Sequence, residues 1–231
     1  YLVNEYRRLR GPELVTARSF RGTRGSHKTH GGTLKESLEQ LQSKPNLALC
    51  FSTSQADSLA TYLERNRRLI PLSTTYLEAR SSHVQSAHQD TVESDSHLLS
   101  LLARFPNSTI QSFHFDHDNL DTFFSDGSSL DFSGYIESLQ QQTVDWKAFI
   151  VYACGGLRGT SQPLISDLQR AYPDAIIVGG FCGEGYVTHK TPEGSIEIKN
   201  VDDGVFGVAL GGDIPMKSVV SRGAKSLVQD E

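Results

Sequence analysis

The chain has 231 residues, a formal net charge of −5 at pH 7 and 37% hydrophobic residues. This length and composition predict a globular, soluble protein with one large domain or two small ones. No apolar run approaches the ~18–20 residues that a membrane span requires, and no secretory signal opens the chain, so a membrane protein is not expected.

Residues 1–32 are predicted to form a basic, partly irregular N-terminal flank. Residues 11–32 are rich in Gly, Arg and Thr, which predicts a loop. Seven basic residues oppose two acidic ones over residues 1–30, so the remainder of the chain carries a net charge of about −10. A basic flank can bind nucleic acid or acidic partners. Without interleaved aromatic residues, and with an acidic domain that repels phosphate, we expect a solvated flank and no nucleic-acid binding.

The next segment predicts two helices around one strand. A capping box opens "TLKESLEQLQ" and predicts a helix over 33–42. The short apolar run "LALCFS" (47–52) is typical of a buried strand. Ser54 is expected to cap a second helix. Residues 73–96 are polar and lack periodicity, so they predict a long surface loop.

The middle of the chain alternates between helix and strand patterns. Helical spacing of leucines in "HLLSLLARF" predicts a helix over 97–105, and "TIQSFHF" (109–115) alternates as a strand does. Asp131 is expected to cap another helix. The apolar run "AFIVYAC" (148–154) is the strongest strand signal, and a helix with Pro163 in its first turn follows it.

The last part of the chain changes from alternating elements to successive strands. After the strand "AIIVGG" (175–180), turn sequences separate four more predicted strands, "YVTHK", "SIEIK", "GVFGVAL" and "MKSVVSR". We therefore predict an α/β fold with a mixed β-sheet, flanking helices and a C-terminal antiparallel β-meander in the same sheet. The domain is expected to span residues 33–223, and residues 224–231 are expected to form a tail.

The three cysteines are widely spaced and each lies in or beside an apolar run. They are Cys50, Cys154 and Cys182. An odd number at such spacing favours reduced thiols in a cytoplasmic or nuclear protein over a disulfide framework or a zinc site.

Two predicted strands are each followed by glycines and a cysteine, in "CGGLRGTSQP" (154–163) and "VGGFCGEGYV" (178–187). Neither sequence is a Walker A loop or a dinucleotide fingerprint. Ligands of open α/β sheets bind outside the carboxyl ends of the strands, and parallel neighbouring strands would place both sequences at one edge. The candidate ligand- or partner-binding residues are Cys154, Gly155, Gly156, Arg158, Gly179, Gly180, Cys182 and Glu184. The alternative is that the glycines only make turns, with Gly179 and Gly180 ending a buried strand.

Catalysis and metal binding have weaker support. "FHFDHDN" contains His114, Asp116, His117 and Asp118, but in a strand His117 points away from the face that His114 and Asp116 share. A cysteine nucleophile would need a base, and His114 and His189 are the only nearby candidates, with no motif around either. We expect no catalytic residue, no metal and no cofactor, although an enzyme that uses the Cys154 and Cys182 edge stays an alternative.

Three segments together resemble the FIST domain. They are "IQSFHF", "WKAFIVYACGGLRGTSQPLISDLQRAYPDAIIVGGFCGEGYV" and "DDGVFGVALGGDIPMKSVV". The similarity extends over about residues 45–222, is strongest after residue 108, and is closest to the FIST region of F-box proteins. Each motif is apolar and Gly-rich, so the order and spacing of the motifs carry the resemblance. The resemblance implies the N-terminal FIST half of a longer chain.

For function, the resemblance implies a non-catalytic domain that recruits a protein substrate to a Skp–cullin–F-box ubiquitin ligase in the cytoplasm or nucleus. Residues 1–30 lack the Leu-Pro start and Cys-Arg-x-Trp end of an F-box. The Skp adaptor is therefore expected to bind only through an F-box outside this sequence, and no membrane contact is expected. Bacterial FIST domains resemble sensors, so a small-ligand, amino-acid-like sensory domain of a signalling protein is the alternative.

Overall fold

The computed structural model describes residues 13–22, 44–53, 73–81, 96–120, 123, 130–190, 195–214 and 216. These residues contain ten strands, which in chain order are β1 (Glu13–Gly22), β2 (Leu47–Thr53), β3 (Thr75–Ser81), β4 (Ser96–Arg104), β5 (Ser108–Asp116), β6 (Trp146–Cys154), β7 (Ile176–Phe181), β8 (Glu184–Lys190), β9 (Ile196–Val201) and β10 (Gly204–Gly212). They also contain three α-helices, which are α1 (His117–Leu120), α2 (Ser133–Gln140) and α3 (Ser161–Ala171), and a 3-10 helix over Gly156–Thr160.

The strands form two mixed sheets. The six-stranded sheet has the order β1-β4-β2-β3-β8-β9, and the four-stranded sheet has the order β5-β10-β6-β7. Each sheet contains one parallel pair, β2 with β3 and β6 with β7, and the other neighbours are antiparallel. The predicted α/β class with mixed strand pairing and flanking helices is confirmed, but the strands form two sheets and not the single sheet that was predicted.

One hydrophobic core fills the space between the two sheets. Strands β2, β3 and β8 contribute Leu47, Leu77 and Val187, while β6 and β10 contribute Ile150 and Phe206. Side chains on alternate positions of a strand point to opposite faces, so each of these strands still has a second face to cover.

A second core covers the other face of the four-stranded sheet. Phe149 and Val205 from the sheet pack with Leu139 from α2 and with Leu164 and Leu168 from α3. The four-stranded sheet is therefore the middle layer of three, between the six-stranded sheet and the helices.

The chain passes from one sheet to the other directly after β7. The Cys182 N–H donates to Ala153 O (3.0 Å) in the four-stranded sheet, and the next N–H, from Gly183, donates to Arg80 O (2.7 Å) in the six-stranded sheet. Two residues thus carry the chain between the layers, and strand β8 begins at once in the second sheet.

The predicted C-terminal meander is wrong in one respect. Strands β8 and β9 do pair antiparallel, but β10 leaves them and lies between β5 and β6 in the other sheet. Strand β10 is buried along almost its whole length. A strand buried on both faces suits the middle layer, where a core lies on each side, and not a hairpin at the edge of a sheet.

The helix predicted over 97–105 is also wrong, because these residues form strand β4. The short apolar run is compatible with either structure by its pattern alone. Strand β4 pairs with β1 on one side and β2 on the other, so pairing partners distant in sequence decide between the two structures.

Two regions predicted as loops contain strands. Strand β1 lies within residues 11–32, and β3 lies within residues 73–96. Charged residues in β3 suggested a solvent-exposed loop, but Glu78 and Arg80 are buried and ion-paired with each other (3.1 Å). The ion pair offsets the desolvation free energy that burying either charge alone would cost.

The remaining elements in the described ranges match their predictions. The strands predicted at 109–115, 148–154 and 175–180 are present, and Asp131 accepts a hydrogen bond from Ser133 N (2.8 Å) at the start of α2. The helices predicted over 33–42 and after residue 54, and the strand predicted over 216–222 except for Met216, lie outside the described residues. None of the described helices has the length and apolar character needed to span a bilayer.

Candidate functional site

The carboxyl ends of three strands meet where the chain crosses between the sheets. Strands β6 and β7 are parallel neighbours, with Val151 opposite Gly179 and Ala153 opposite Phe181. The end of β3 joins them through the hydrogen bond from Gly183 N to Arg80 O. The two glycine-rich sequences therefore lie at one edge, as the sequence predicted for adjacent parallel strands.

A groove of about 350 Å³ opens beside this edge, between β7 and α3. Val151 and Ala153 contribute to it from β6, Ile165 from α3, and Val178 and Phe181 from β7. Among the described residues that line the groove, none is charged. The groove therefore offers an apolar surface whose polar groups come from neutral side chains and the backbone.

Strand β7 is an edge strand with exposed apolar side chains. Phe181 is 68% exposed and Val178 is 43% exposed. Within the described part of the chain, β7 pairs on one side only, with β6. The sequence interpretation of 175–180 as a buried strand is therefore wrong, because the edge position leaves its first half only partly buried and its second half open to solvent.

Gly179 and Gly180 differ sharply in their surroundings. Gly179 has φ +154°, and a Cβ there would overlap the carbonyl group of Val151. A Cβ on Gly180 would have no atom within 4 Å. Of the two positions, only 179 requires glycine, because strand β6 passes too close to the backbone there to leave room for a side chain.

The loop after β6 also requires a glycine at its first position. Gly155 has φ +63°, and a Cβ there would overlap the carboxylate of Asp203 in the turn between β9 and β10. Gly156 then begins the 3-10 helix, and Arg158 lies within that helix. The structure describes the backbone position of Arg158, so its predicted role in binding stays a prediction.

Cys154 and Cys182 are brought together as predicted. Cys154 ends β6 and its Sγ lies 3.3 Å from Val201 O, while Cys182 Sγ lies 3.8 Å from Ala153 O. A hydrogen bond with the Cys182 thiol is the largest influence on Cys154 and lowers its pKa, against the opposing effect of burial. Burial, with a smaller contribution from Cys182, raises the pKa of Tyr152 to about 12.

Glu184 is partly buried and is ion-paired with Arg80. Its Oε1 accepts a hydrogen bond from Arg80 Nη1 (2.7 Å), and the Arg80 guanidinium stacks over the Tyr186 ring at 5.0 Å from the centroid. The same guanidinium pairs with Glu78, which also accepts a hydrogen bond from Ser52 Oγ. These groups form a buried ionic network that links β2, β3 and β8 at the crossover.

The two aspartates of "FHFDHDN", Asp116 and Asp118, are ion-paired with one lysine. Lys199 Nζ lies 3.2 Å from Asp116 Oδ2 and 2.8 Å from Asp118 Oδ2. Hydrogen bonds to the two carboxylates raise the pKa of Lys199. Within the described ranges, no three His, Cys, Asp or Glu side chains are grouped so that they could hold a metal ion.

Sequence reasoning missed three residues of this region. Val178 was attributed to a buried strand, Phe181 was placed in the glycine-rich sequence after that strand with no role of its own, and Arg80 was attributed to a surface loop. The phenylalanine had one available signal, because it follows Gly179 and Gly180 directly and so stands where the apolar run is already broken. Arg80 had no comparable signal. Its partner Glu184 is 104 residues away in the sequence, and its other partner, Glu78, is another charged residue of the same predicted loop.

A protein-family model matches most of the chain. The model of the FIST N domain matches residues 46–228, about four fifths of the chain. The matched range includes both glycine-rich sequences, the groove and the buried ionic network. No curated protein matches the chain.

Proposed function

The chain belongs to the FIST N domain family, a family of sensory or interaction domains, and on that premise we propose that it is a non-catalytic protein-interaction domain. Its proposed role is to recruit a protein substrate to a Skp–cullin–F-box ubiquitin ligase in the cytoplasm or nucleus. Support for the F-box context comes from the resemblance of "IQSFHF" and "DDGVFGVALGGDIPMKSVV" to F-box only protein twenty-two. In this proposal the Skp adaptor contacts the F-box and not the FIST region.

The observation that carries the proposal is the apolar groove beside the edge strand β7. An edge strand presents backbone N–H and C=O groups that another strand can pair with. An extended peptide that adds to such an edge gains its affinity from main-chain hydrogen bonds and its specificity from pockets for alternate side chains. The groove between β7 and α3 is such a pocket, and Phe181 stands at its margin with 68% of its surface exposed.

The lining of the groove defines the chemistry of the segment that would fit it. Val151, Ala153 and Ile165 are apolar, and no described lining residue is charged. A charged side chain would lose its hydration there without gaining a partner of opposite charge. The proposed substrate segment is therefore extended and carries an uncharged, apolar side chain that enters the groove.

A sensory function is the second candidate, and the size of the groove favours it. Pockets for small molecules usually have volumes of about 300–1,000 Å³ and combine an apolar lining with a few polar groups. The groove, at about 350 Å³, includes the polar side chains of Ser161 and Gln169. A compact, uncharged or zwitterionic ligand held at the end of β7 would fit these dimensions.

Replacing Phe181 by serine is expected to weaken substrate binding at least ~10-fold, equivalent to about 1.4 kcal/mol. Folding is expected to change by no more than about 0.5 kcal/mol, because the ring is largely exposed. Ile196→Ser is the matched control, since Ile196 is also an exposed apolar residue, at 45%, but lies in β9 at the edge of the other sheet.

The partners themselves are identified with a photo-crosslinking amino acid placed at position 181 or, as control, at position 196 in cells. Proteins captured only from position 181 are then followed for ubiquitination and half-life. The proposal is supported if the captured proteins have longer half-lives in cells whose only copy of the protein is Phe181→Ser, but not in cells whose only copy is Ile196→Ser. Equal capture from both positions contradicts it, and a small molecule that co-purifies with wild type but not with Phe181→Ser favours the sensory function.

A further inference from the structure

Two cysteine side chains lie side by side at the ends of parallel strands. Ala153 pairs with Phe181, the last residue of β7, and Cys154 and Cys182 are the residues that follow these two along the chain. Both side chains belong to the core between the two sheets, so they point to the same face. Neighbouring strands lie ~4.8 Å apart, and a disulfide requires Cα atoms about 4.4–6.8 Å apart. This spacing lies within the range for a disulfide, and Cys182 stays close to the end of β6, with its N–H 3.0 Å and its Sγ 3.8 Å from Ala153 O.

We propose that Cys154 and Cys182 form a redox modification site, which hydrogen peroxide converts into a disulfide between the ends of β6 and β7. This modification is separate from the proposed recruitment of a substrate. The disulfide would fix the relative positions of two points in the chain. One is the end of β7, and the other is the end of β6, after which the 3-10 helix Gly156–Thr160 begins.

The two thiols differ in how they would react. Cys182 is 6% exposed and follows the exposed Phe181, whereas Cys154 is fully buried. Hydrogen peroxide is small enough to meet Cys182 first, and Cys154 is then held in place to attack the oxidised sulfur.

The reaction balances with peroxide as the oxidant. The Cys182 sulfur attacks one peroxide oxygen, the O–O bond breaks, and the sulfenic acid of Cys182 forms as one water leaves. The Cys154 sulfur then attacks the Cys182 sulfur, the S–O bond breaks, and a second water leaves with the proton of Cys154. The two thiols lose two electrons and two protons, and the peroxide is reduced to two waters.

Cys50 provides an internal control within the same chain. Cys50 is buried in β2, and Leu47 of the same strand faces the core between the sheets. Cys50 lies three residues after Leu47, and side chains alternate along a strand, so Cys50 faces the opposite side of the sheet. Burial, and then the nearby charge of Glu78, raise the pKa of Cys50 well above its usual value. A thiol in that environment is expected to stay reduced under the same treatment.

The test treats the folded 231-residue chain with hydrogen peroxide, removes the peroxide with catalase, and alkylates the remaining thiols after denaturation. Peptide mapping without reduction is expected to show a linked Cys154–Cys182 peptide and alkylated Cys50. The intact protein is expected to be lighter by two hydrogens before alkylation, and dithiothreitol is expected to reverse the change. Cys50→Ser is expected to give the same linked peptide, and Cys182→Ser to give none.

The wild-type peptide map is decisive even if a variant fails to fold. Three alkylated cysteines, at a peroxide dose that oxidises a free cysteine peptide, would overturn the proposal. So would sulfinic acid at Cys182 beside alkylated Cys154, or linked peptides that include Cys50. Repeating the oxidation in denaturing urea, where pairing is expected to become unselective, shows that the native fold directs it.

Discussion

Replacing Arg80 by methionine is expected to lower the free energy of unfolding by about 3–5 kcal/mol. Arg80 is the cationic partner of Glu78, whose carboxylate is fully buried (Nε to Oε1, 3.1 Å). Methionine keeps much of the side-chain volume but removes the positive charge beside the buried Glu78 carboxylate, which also accepts a hydrogen bond from the Ser52 hydroxyl. It also releases Glu184, whose contact with Arg80 holds the start of β8. Urea denaturation followed by circular dichroism measures the loss.

Two variants separate loss of the cation from loss of packing. The double variant Glu78→Met/Arg80→Met removes both charges and is expected to recover much of the lost stability, because apolar residues of similar volume often replace buried ion pairs without cost. Arg170→Met is the surface control, since Arg170 is 77% exposed beside Asp167, and is expected to change stability by less than about 1 kcal/mol. A double variant as unstable as Arg80→Met would contradict the role given to the buried charge.

Replacing Gly179 by alanine is expected to destabilise the protein by at least about 2 kcal/mol, through unfavourable backbone conformation and steric overlap together. The φ of +154° disfavours a residue with a side chain, and the added Cβ would overlap the Val151 carbonyl group. Strand β7 would have to move away from β6, which is its pairing partner. Thermal and urea denaturation both report the effect.

Gly180→Ala is the matched control on the same strand. Gly180 is exposed as Gly179 is, but a Cβ there meets no atom within 4 Å. Its replacement is expected to shift stability by no more than about 0.5 kcal/mol. Equal effects of the two substitutions would show that the close approach of β6 and β7 at Gly179 does not constrain the fold.

Elements whose pattern is local could be predicted from the sequence. Strand β6 is a continuous apolar run, and α3 combines helical spacing of Leu164 and Leu168 with Pro163 in its first turn. Strand β4 could not be predicted, because its leucines suit a helix and only its partners β1 and β2 impose the extended form. Strand β3 could not be predicted either, because it contains the charged residues Glu78 and Arg80, which are typical of a surface loop and are buried here only because they are ion-paired.

The candidate site was predictable in its position and not in its surface. Two parallel strands with similar glycine-rich ends sufficed to bring Cys154 and Cys182 together. The exposure of Phe181 depends on β7 lying at the edge of its sheet, which no local pattern indicates. The sequence did not distinguish Gly179 from Gly180 at the end of the strand, whereas a Cβ would meet Val151 only at position 179, because the direction of successive residues in a strand alternates.

The interior position of β10 has a consequence during synthesis on the ribosome. Strands β5 and β6 hydrogen-bond to β10 and not to each other, yet β10 is the last of the described strands to be made. From Cys154 at the end of β6 to Gly212 at the end of β10, translation at ~5–20 residues per second takes about 3–12 s. For that interval the nascent chain holds two strands that lack their common partner, so chaperone protection is needed most while residues 155–212 are being translated.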